Sequence, residues 1–387
     1  MDMTQNTNIN INKIEKRLLN DDITNNSKKQ KVDQYIRIKR KNYAMLLSYL
    51  GKNYYGMQRN PGMATVEEHL IKALLKANLI NSETFGMIQT INFQRAARTD
   101  KGVSAIRQVV SLKLPEDPCK DTINNYLPED IRVFGIKRVT KGFNSKSQCD
   151  ARTYSYTIPT YAFIPENLEQ FQTTANSILI EKRLIELSII NGKPYHEYRI
   201  SKEKLQRLQE LLKYFEGTHK FHNYTSKVLP LDPRARRYIM NFIAEEPFTI
   251  NNMEFITLKI KGQSFMLHQI RKMIAIIIGI MRNIITAKEL EQTFEQQKFD
   301  IYRAPSLGLM LYFVHYEYYD KRYGSDGIHE KLDWADCEKE IIEFEKNIIY
   351  NYIIDTEIKE NTMLNWLAKL NTNSFILRTN EEQNLNE

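Results

Sequence analysis

A single carboxylate stands among several cations between residues 95 and 105, where the sequence reads RAARTDKGVSA. Because nearby positive charge favours the charged form of a carboxyl group, we expect Asp100 to stay ionised at neutral pH. An ionised carboxylate suits a nucleophile or a general base better than a general acid. A glycine two positions later indicates a turn that presents this side chain. The surrounding cations are Arg95, Arg98, Lys101 and Arg107.

Two other roles are open to Asp100. A loop aspartate often only holds a turn, through hydrogen bonds between its side chain and the neighbouring backbone. An Asp-Lys pair also occurs in phosphoenzyme loops, but the chain has no Walker-type phosphate loop and no second acidic cluster for a metal. ATP chemistry is therefore unsupported. His219 and His222 lack partners at a familiar zinc spacing, so we expect no metal site.

The elements that must position this loop can be predicted from residue patterning. Thr65 and Glu68 form a capping-box pattern at the start of a helix. Alternation of unlike residues predicts strands, and apolar residues at helical spacing predict helices. The order of these elements predicts an α+β fold with two sheet-plus-helix halves. Strands are expected at residues 43–50, 87–96, 108–114, 132–139, 152–158, 238–244, 255–260 and 309–318, and long helices at 202–216 and 265–285.

Composition divides the chain into four parts. Residues 1–40 are rich in Asn, Lys and Asp and are expected to form a disordered tail. Residues 41–150 are the expected N-terminal half of the catalytic domain with the Asp100 loop, and residues 151–324 are its C-terminal half. Residues 325–387 are expected to form an acidic helical extension, because they hold 6 Lys and Arg against 14 Asp and Glu.

The remaining 324 residues hold 49 Lys and Arg against 33 Asp and Glu. A basic body of this kind suits a nucleic acid, whose phosphates supply much of the binding affinity. A basic surplus is also common in Lys-rich and Asn-rich proteins, so charge alone does not decide the partner.

Other features bear on location. The longest apolar run, from Met273 to Met281, is far shorter than the roughly 20 residues of a membrane span. We therefore expect no membrane association, and no secretory signal is evident. Three widely spaced cysteines favour a reducing compartment. Basic clusters at residues 28–31 and 39–41 are of the kind that nuclear import receptors bind, so we predict a nuclear location and leave mitochondrion and cytoplasm open.

The segment RTDKGVSA, from Arg98 to Ala105, resembles the active-site motif of the TruA-type tRNA pseudouridine synthases. Four further blocks resemble segments of that family and keep the same order along the chain. The MQRN and FNSK forms within them are most similar to the eukaryotic branch. One block alone would be weak evidence, whereas their joint occurrence is specific. These blocks are GKNYYGMQRN at 51–60, GFNSKSQCDARTYSY at 142–156, GQSFMLHQIRKM at 262–273, and Ala304-Pro305 with Gly308-Leu309.

The resemblance implies isomerisation of uridine in tRNA without a cofactor. It also implies two halves around a central basic cleft, with Asp100 at its base as the catalytic residue. By the same resemblance, Tyr154 stacks on the target uracil and Arg98 holds or extrudes the target nucleotide. Arg271 is implied to pair with Asp100. The expected phosphate contacts are Arg95, Lys101 and Arg107.

Two positions depart from the pattern common in bacterial members. Met57 stands in place of an aromatic residue, and Ser104 stands in place of a histidine. Neither change removes a catalytic group, and the first supports the eukaryotic branch. That branch resembles monomers, whereas the bacterial relatives are dimers, so we expect a monomer whose C-terminal helices cover the dimerisation surface.

Two other classes of function stay open. A catalytically silent RNA-binding protein would need the basic surface, but it would not need Asp100, Tyr154 and Arg271 together. An interaction adaptor is favoured only by the acidic residues 330–370. Among enzyme substrates, snRNA and mRNA stay open beside tRNA.

Overall fold

The computed structural model describes residues 39–166, 177–370 and 374–377, so the expected tail lies outside the described residues up to residue 38. The described strands are β1 (Arg40–Tyr49), β2 (Gln94–Arg95), β3 (Ser104–Pro115), β4 (Ile131–Arg138), β5 (Ala151–Pro159), β6 (Ile189–Ile190), β7 (Lys193–Pro194), β8 (Gly217–Lys220), β9 (Arg236–Ala244), β10 (Phe248–Ile250), β11 (Met253–Gly262), β12 (Phe299–Ile301), β13 (Leu309–His315) and β14 (Phe375–Leu377).

The described α-helices are α1 (Val66–Lys76), α2 (Ser82–Gly86), α3 (Lys120–Asn124), α4 (Ser177–Ser188), α5 (Lys202–Lys213), α6 (Gln269–Met281), α7 (Ala287–Gln292), α8 (Glu317–Tyr323), α9 (Glu338–Phe344), α10 (Asn351–Glu360) and α11 (Thr362–Ala368). Within the described ranges, no helix is long and apolar enough to cross a membrane. The helix expected at Thr65 is confirmed, since the Thr65 side chain accepts a hydrogen bond from the N–H of Glu68.

One ten-stranded sheet runs through both predicted halves, in the order β4-β1-β3-β13-β5-β11-β9-β8, with β2 on β3 and β10 on β11. The parallel pair of β3 and β13 joins the halves, and it places Met310 opposite Ser104. The α+β class is therefore confirmed, and the junction of the halves lies directly after the Asp100 loop.

Helix α6 is buried almost all round, as its apolar sequence predicts. Eleven of its residues are buried, and the half-buried exceptions are Arg271 and Lys272 in its first turn. The core can therefore fix this first turn firmly, close to the end of β11.

The helix expected at residues 265–285 is shorter than predicted. His268 has a left-handed φ of 64°, which a right-handed helix cannot contain, so α6 begins only at Gln269. The side chain of Gln269 accepts a hydrogen bond from the N–H of Met266 at 2.9 Å, which stabilises this start. Asn283, with a φ of 64°, lies beyond the other end.

The strand expected at residues 87–96 is wrong. Residues Ile88–Ile91 form a 3₁₀ helix, and only Gln94 and Arg95 pair with β3. The carbonyl of Met87 accepts hydrogen bonds from both the N–H and the hydroxyl of Thr90, so the chain turns before a strand can form. The strand expected at 309–318 also ends early, at His315, because α8 follows.

The described part of the acidic extension, residues 325–370 and 374–377, contains the helices α9, α10 and α11 and lies against cations of the sheet. Glu338 is 2.7 Å from Arg107 of β3, and Asp336 is 2.8 Å from Lys137 of β4. The last described segment of the extension, β14, pairs with β12. Opposite charges that are far apart in sequence therefore meet and hold the extension on the fold.

Candidate active site

The Asp100 loop is supported by the motif that follows β1. The N–H of Met57 donates to the carbonyl of Thr99 at 3.1 Å, and the hydroxyls of Tyr49 and Thr99 are 2.7 Å apart. Gly56 has a φ of +97°, and a Cβ there would lie 2.6 Å from the carbonyl oxygen of Thr99. Only glycine tolerates both conditions, so the two motifs form one rigid support.

A cleft of about 610 Å³ opens between the Asp100 loop, β5 and residues 264–270. The side chain of Asp100 is 32 % exposed, so it can meet a ligand in this space. Four residues named from the sequence therefore come together here, while Arg271 and Lys101 do not line the cleft. The charged and aromatic side chains of its wall are Arg95, Arg98, Asp100, Lys146, Arg152, Tyr154, Phe265 and His268.

Tyr154 lies on β5, opposite Ile260 of β11 and Leu311 of β13. Its ring is 8 % exposed and meets the ring of Phe265 edge-on, with 5.2 Å between centroids. Burial raises the pKa of its hydroxyl above the ordinary value, so the group stays protonated. A largely buried ring held by two neighbouring strands offers the cleft a fixed aromatic surface.

The cations of the Asp100 loop differ from one another in their partners. Arg98 is exposed and has no hydrogen bond or ion pair with any residue that the structure describes. Arg95 is 2.7 Å from the buried carboxylate of Glu67 on α1. Lys101 is exposed, and its ammonium lies 4.2 Å from the centroid of the Tyr55 ring. Arg98 is therefore free to bind a ligand, whereas Arg95 also fastens the loop to α1.

The expectation that Arg107 contacts phosphate is wrong. Arg107 is 3 % exposed and pairs with Glu338 of the extension. Its guanidinium also lies 5.4 Å from the centroid of the Tyr312 ring. Closeness to Asp100 in sequence was misleading, because β3 carries Arg107 away from the cleft and beneath the acidic helices.

The expected pairing of Arg271 with Asp100 is also absent among the described residues. The Nε of Arg271 donates to the carbonyl of Ala304 at 2.6 Å. Burial lowers the pKa of Arg271, and the nearby charge of Asp100 partly offsets this. Arg271 therefore acts on Asp100 only through space and holds the loop that precedes β13.

Sequence reasoning missed His268, which lies in the place expected for Arg271. Its Nδ1 is 3.4 Å from Oδ2 of Asp100. A signal was in the sequence, because His268 lies within the GQSFMLHQIRKM block, three residues before Arg271. Its left-handed backbone turns it towards the Asp100 loop, and a helix pattern cannot reveal that.

Known proteins similar to this chain carry one activity in their names. A family model described as tRNA pseudouridine synthase matches residues 211–317. The chain is 42 % identical over 343 residues to pseudouridylate synthase 1 homolog of Mus musculus. This match covers 88 % of this chain and 76 % of that protein. It is 34 % identical over 408 residues to tRNA pseudouridine synthase 1 of Kluyveromyces lactis. This match covers 91 % of this chain and 74 % of that protein.

The human pseudouridylate synthase 1 homolog is 43 % identical over 335 residues, which is 86 % of this chain and 73 % of that protein. All three relatives are eukaryotic, as the MQRN and FNSK forms predicted. A match over 88 % of the chain includes residues of both halves of the fold. The chain therefore belongs to the TruA-type tRNA pseudouridine synthase family.

Proposed function

We propose that this chain converts specific uridines of tRNA into pseudouridine, with the carboxylate of Asp100 as its catalytic group. In this isomerisation the N1–C1′ bond breaks, the base rotates, and a C5–C1′ bond forms. The proton on C5 is lost and N1 gains one, so the atoms balance without any redox step. The observation that carries the proposal is one cleft in which Asp100, Tyr154 and the free cation Arg98 meet, in a chain of this family.

Asp100 has three candidate roles: attack on the base, attack on C1′ of the ribose, and removal of the proton from C2′. Each role needs an ionised carboxylate close to the sugar. The partial exposure of Asp100 at the cleft supports such an approach.

Tyr154 and Arg98 are proposed to hold the target nucleotide. An extruded base loses its neighbours in the RNA stack, and a fixed aromatic ring replaces them. The planar guanidinium of Arg98 suits a phosphate, since it donates two parallel hydrogen bonds. The cleft has the volume of a small-ligand site, roughly 300–1,000 Å³, and therefore admits one nucleotide rather than a helix.

Affinity for tRNA is proposed to come from many phosphate contacts, with Lys101 and Arg95 at the rim. The surplus of cations in residues 1–324 supports this. Such binding weakens steeply with salt because counterions are released from the RNA. Titration of labelled tRNA at increasing KCl checks this, and insensitivity to salt would contradict it.

We further propose that the chemistry needs no metal and no organic cofactor. The isomerisation itself supports this, because it transfers no electrons to an outside group. After dialysis against a chelator and restoration of Mg²⁺ for tRNA folding, turnover should return to its original rate. A loss that only zinc reverses would contradict the proposal.

The substitution Asp100→Asn tests the function. It is nearly isosteric, yet it removes the negative charge that all three roles require. We expect single-turnover pseudouridine formation to fall by at least about 10³-fold, while the tRNA dissociation constant changes little, since many other contacts bind the RNA. Unmodified tRNA is the substrate, and chemical mapping of pseudouridine is the readout. Formation of pseudouridine at a comparable rate would refute the assignment.

The assembly and location are proposals too. We propose a monomer, supported by the extension that covers Arg107 and Lys137, and light scattering that gives a dimer mass would overturn this.

We propose a nuclear protein, supported by the clusters at 28–31 and 39–41. Replacing those lysines and arginines by alanine in a fluorescent fusion should move it to the cytoplasm. Chemical mapping of pseudouridine in snRNA and mRNA after incubation with the protein decides whether these RNAs are substrates.

A further inference from the structure

His268 meets Asp100 from the far side of the cleft. Its Nδ1 lies 3.4 Å from Oδ2 of Asp100, while its Nε2 lies 2.8 Å from Nη1 of Arg303. The Nδ1 is buried and has no hydrogen-bond partner among the described residues. Among the described residues, the carboxylate of Asp100 is the acceptor that faces this nitrogen.

The contact with Arg303 decides which nitrogen of His268 carries the proton. A guanidinium has only N–H donors, so Nε2 of His268 must accept from it. In a neutral imidazole the other nitrogen then carries the hydrogen, which places an Nδ1–H in front of Asp100. Burial, followed by the positive charge of Arg303, lowers the pKa of His268, so the neutral ring prevails at neutral pH.

Other charged groups also face His268. The carboxylate of Asp100 raises the pKa of His268, while Arg271 and Lys272 of α6 lower it. Three cations therefore outweigh one anion around this ring. A neutral donor orients the carboxylate without neutralising it, which a protonated imidazolium would do.

The backbone of His268 supports the same conclusion. Its φ of 64° lies in the left-handed region, which residues other than glycine rarely adopt. Strained backbone of this kind persists where the surrounding structure demands it, and it is concentrated at functional sites. Here it turns the imidazole out of the line of α6 and towards Asp100.

We infer that His268 is a positioning residue, whose Nδ1–H, selected by Arg303, orients the Asp100 carboxylate for reaction. The inference rests on the proposed function, because it assumes that Asp100 is catalytic. The distance of 3.4 Å is slightly long for a hydrogen bond. Contacts of this kind are often long in enzymes without substrate and shorten in the substrate complex.

Two substitutions separate the side chain from the backbone. Asparagine and glycine both adopt left-handed φ values readily, so neither variant should strain the start of α6. The amide nitrogen of His268→Asn occupies nearly the place of Nδ1, whereas His268→Gly has no donor there. We expect the single-turnover rate to fall by about tenfold or more in His268→Gly, and His268→Asn to recover most of that loss. The tRNA dissociation constant should stay within about twofold in both variants.

Each other outcome overturns the inference. If His268→Gly matched the unmodified enzyme, the side chain would have no role. If both variants lost activity equally while folded, a donor at this place would not be what matters. A loss confined to tRNA affinity would make His268 an RNA contact. Asp100→Asn, measured alongside, tests the proposed function separately, because activity in that variant would refute it whatever His268 does.

A double-mutant cycle tests the part played by Arg303. Arg303→Met removes the donor to Nε2 but keeps the length of the side chain, so it should lower the single-turnover rate several-fold. Asparagine has no Nε2, so Arg303→Met should cause no further loss in the His268→Asn background. Equal losses in both backgrounds would show that Arg303 acts independently, and the tautomer argument would be wrong.

Discussion

Two groups of cations that look alike in the sequence have opposite surroundings. In the Asp100 loop, Arg98 is exposed and has no partner among the described residues. Beneath the acidic extension, the side chains of Arg107 and Lys137 are 4 % and 7 % exposed, and both face carboxylates. Tertiary packing therefore separates the cations: Arg98 stays exposed at the cleft, whereas Arg107 and Lys137 bind the chain's own acidic segment.

Among the cations of this comparison, the largest effect is expected from Arg98→Ala in the cleft. The substitution removes a cation that has no partner in the part of the chain that the structure describes, so the temperature of thermal unfolding should not change. Pseudouridine formation under single-turnover conditions should fall by roughly 100-fold, because a poorly held nucleotide is misplaced against Asp100. Lys101→Ala is the matched control, and it should lose less, since Lys101 stands outside the cleft. If Arg98→Ala lowered the unfolding temperature and left the single-turnover rate unchanged, Arg98 would be a structural residue and the prediction would be wrong.

In the acidic extension, Glu338→Ala should destabilise the fold and leave the rate of pseudouridine formation unchanged. It leaves the buried guanidinium of Arg107 without its closest anion, at a cost of about 2 kcal/mol in the free energy of unfolding. Urea denaturation followed by circular dichroism measures this. Glu340→Ala is the control: its partner Lys120 is 33 % exposed, against 4 % for Arg107, so the loss should stay below about 0.5 kcal/mol. Equal losses would mean that burial does not distinguish the two pairs.

Trp366→Phe tests whether the acidic extension influences the reaction in the cleft. The indole N–H of Trp366 in α11 donates to the carbonyl of Arg303 at 2.7 Å. Loss of this bond loosens the backbone of Arg303, whose side chain contacts His268, so we expect the single-turnover rate to fall several-fold with unchanged tRNA affinity. Trp334→Phe, which changes an indole elsewhere in the extension, is the comparison variant. An unaltered rate in Trp366→Phe would show that the extension only supports the fold.

The smallest effect concerns His315, a basic side chain whose charge is suppressed. Burial and the nearby charge of Lys261 lower its pKa to about 4, although Glu317 partly opposes this. Between pH 4 and the ordinary pKa of about 6.5 the unfolded chain binds a proton that the folded chain does not. Stability should therefore fall as the pH drops through this window. His315→Gln should lose less stability than the unmodified protein between pH 7 and pH 5 in urea melts, and equal slopes would contradict the assignment.

Local patterning predicted much of the fold. The strands β1, β3, β4, β5, β9 and β11 and the helix α5 lie close to their expected ranges, because alternation and helical periodicity reflect which face each segment buries. The pattern failed at residues 87–96, where the hydrogen bonds of Thr90 close a turn. It also failed at His268, where packing imposes a backbone that no periodicity indicates.

The sequence by itself determined the family and the loop that presents Asp100, because several short motifs in one order identify both. Only the tertiary structure decided which basic residues are free. Arg98 and Arg107 are nine positions apart, yet one lines the cleft and the other lies under Glu338, more than two hundred positions away. It also decided that His268, rather than Arg271, meets Asp100. The physical reason is that ion pairs and cleft walls depend on distances in space, and long-range strand pairing sets those distances.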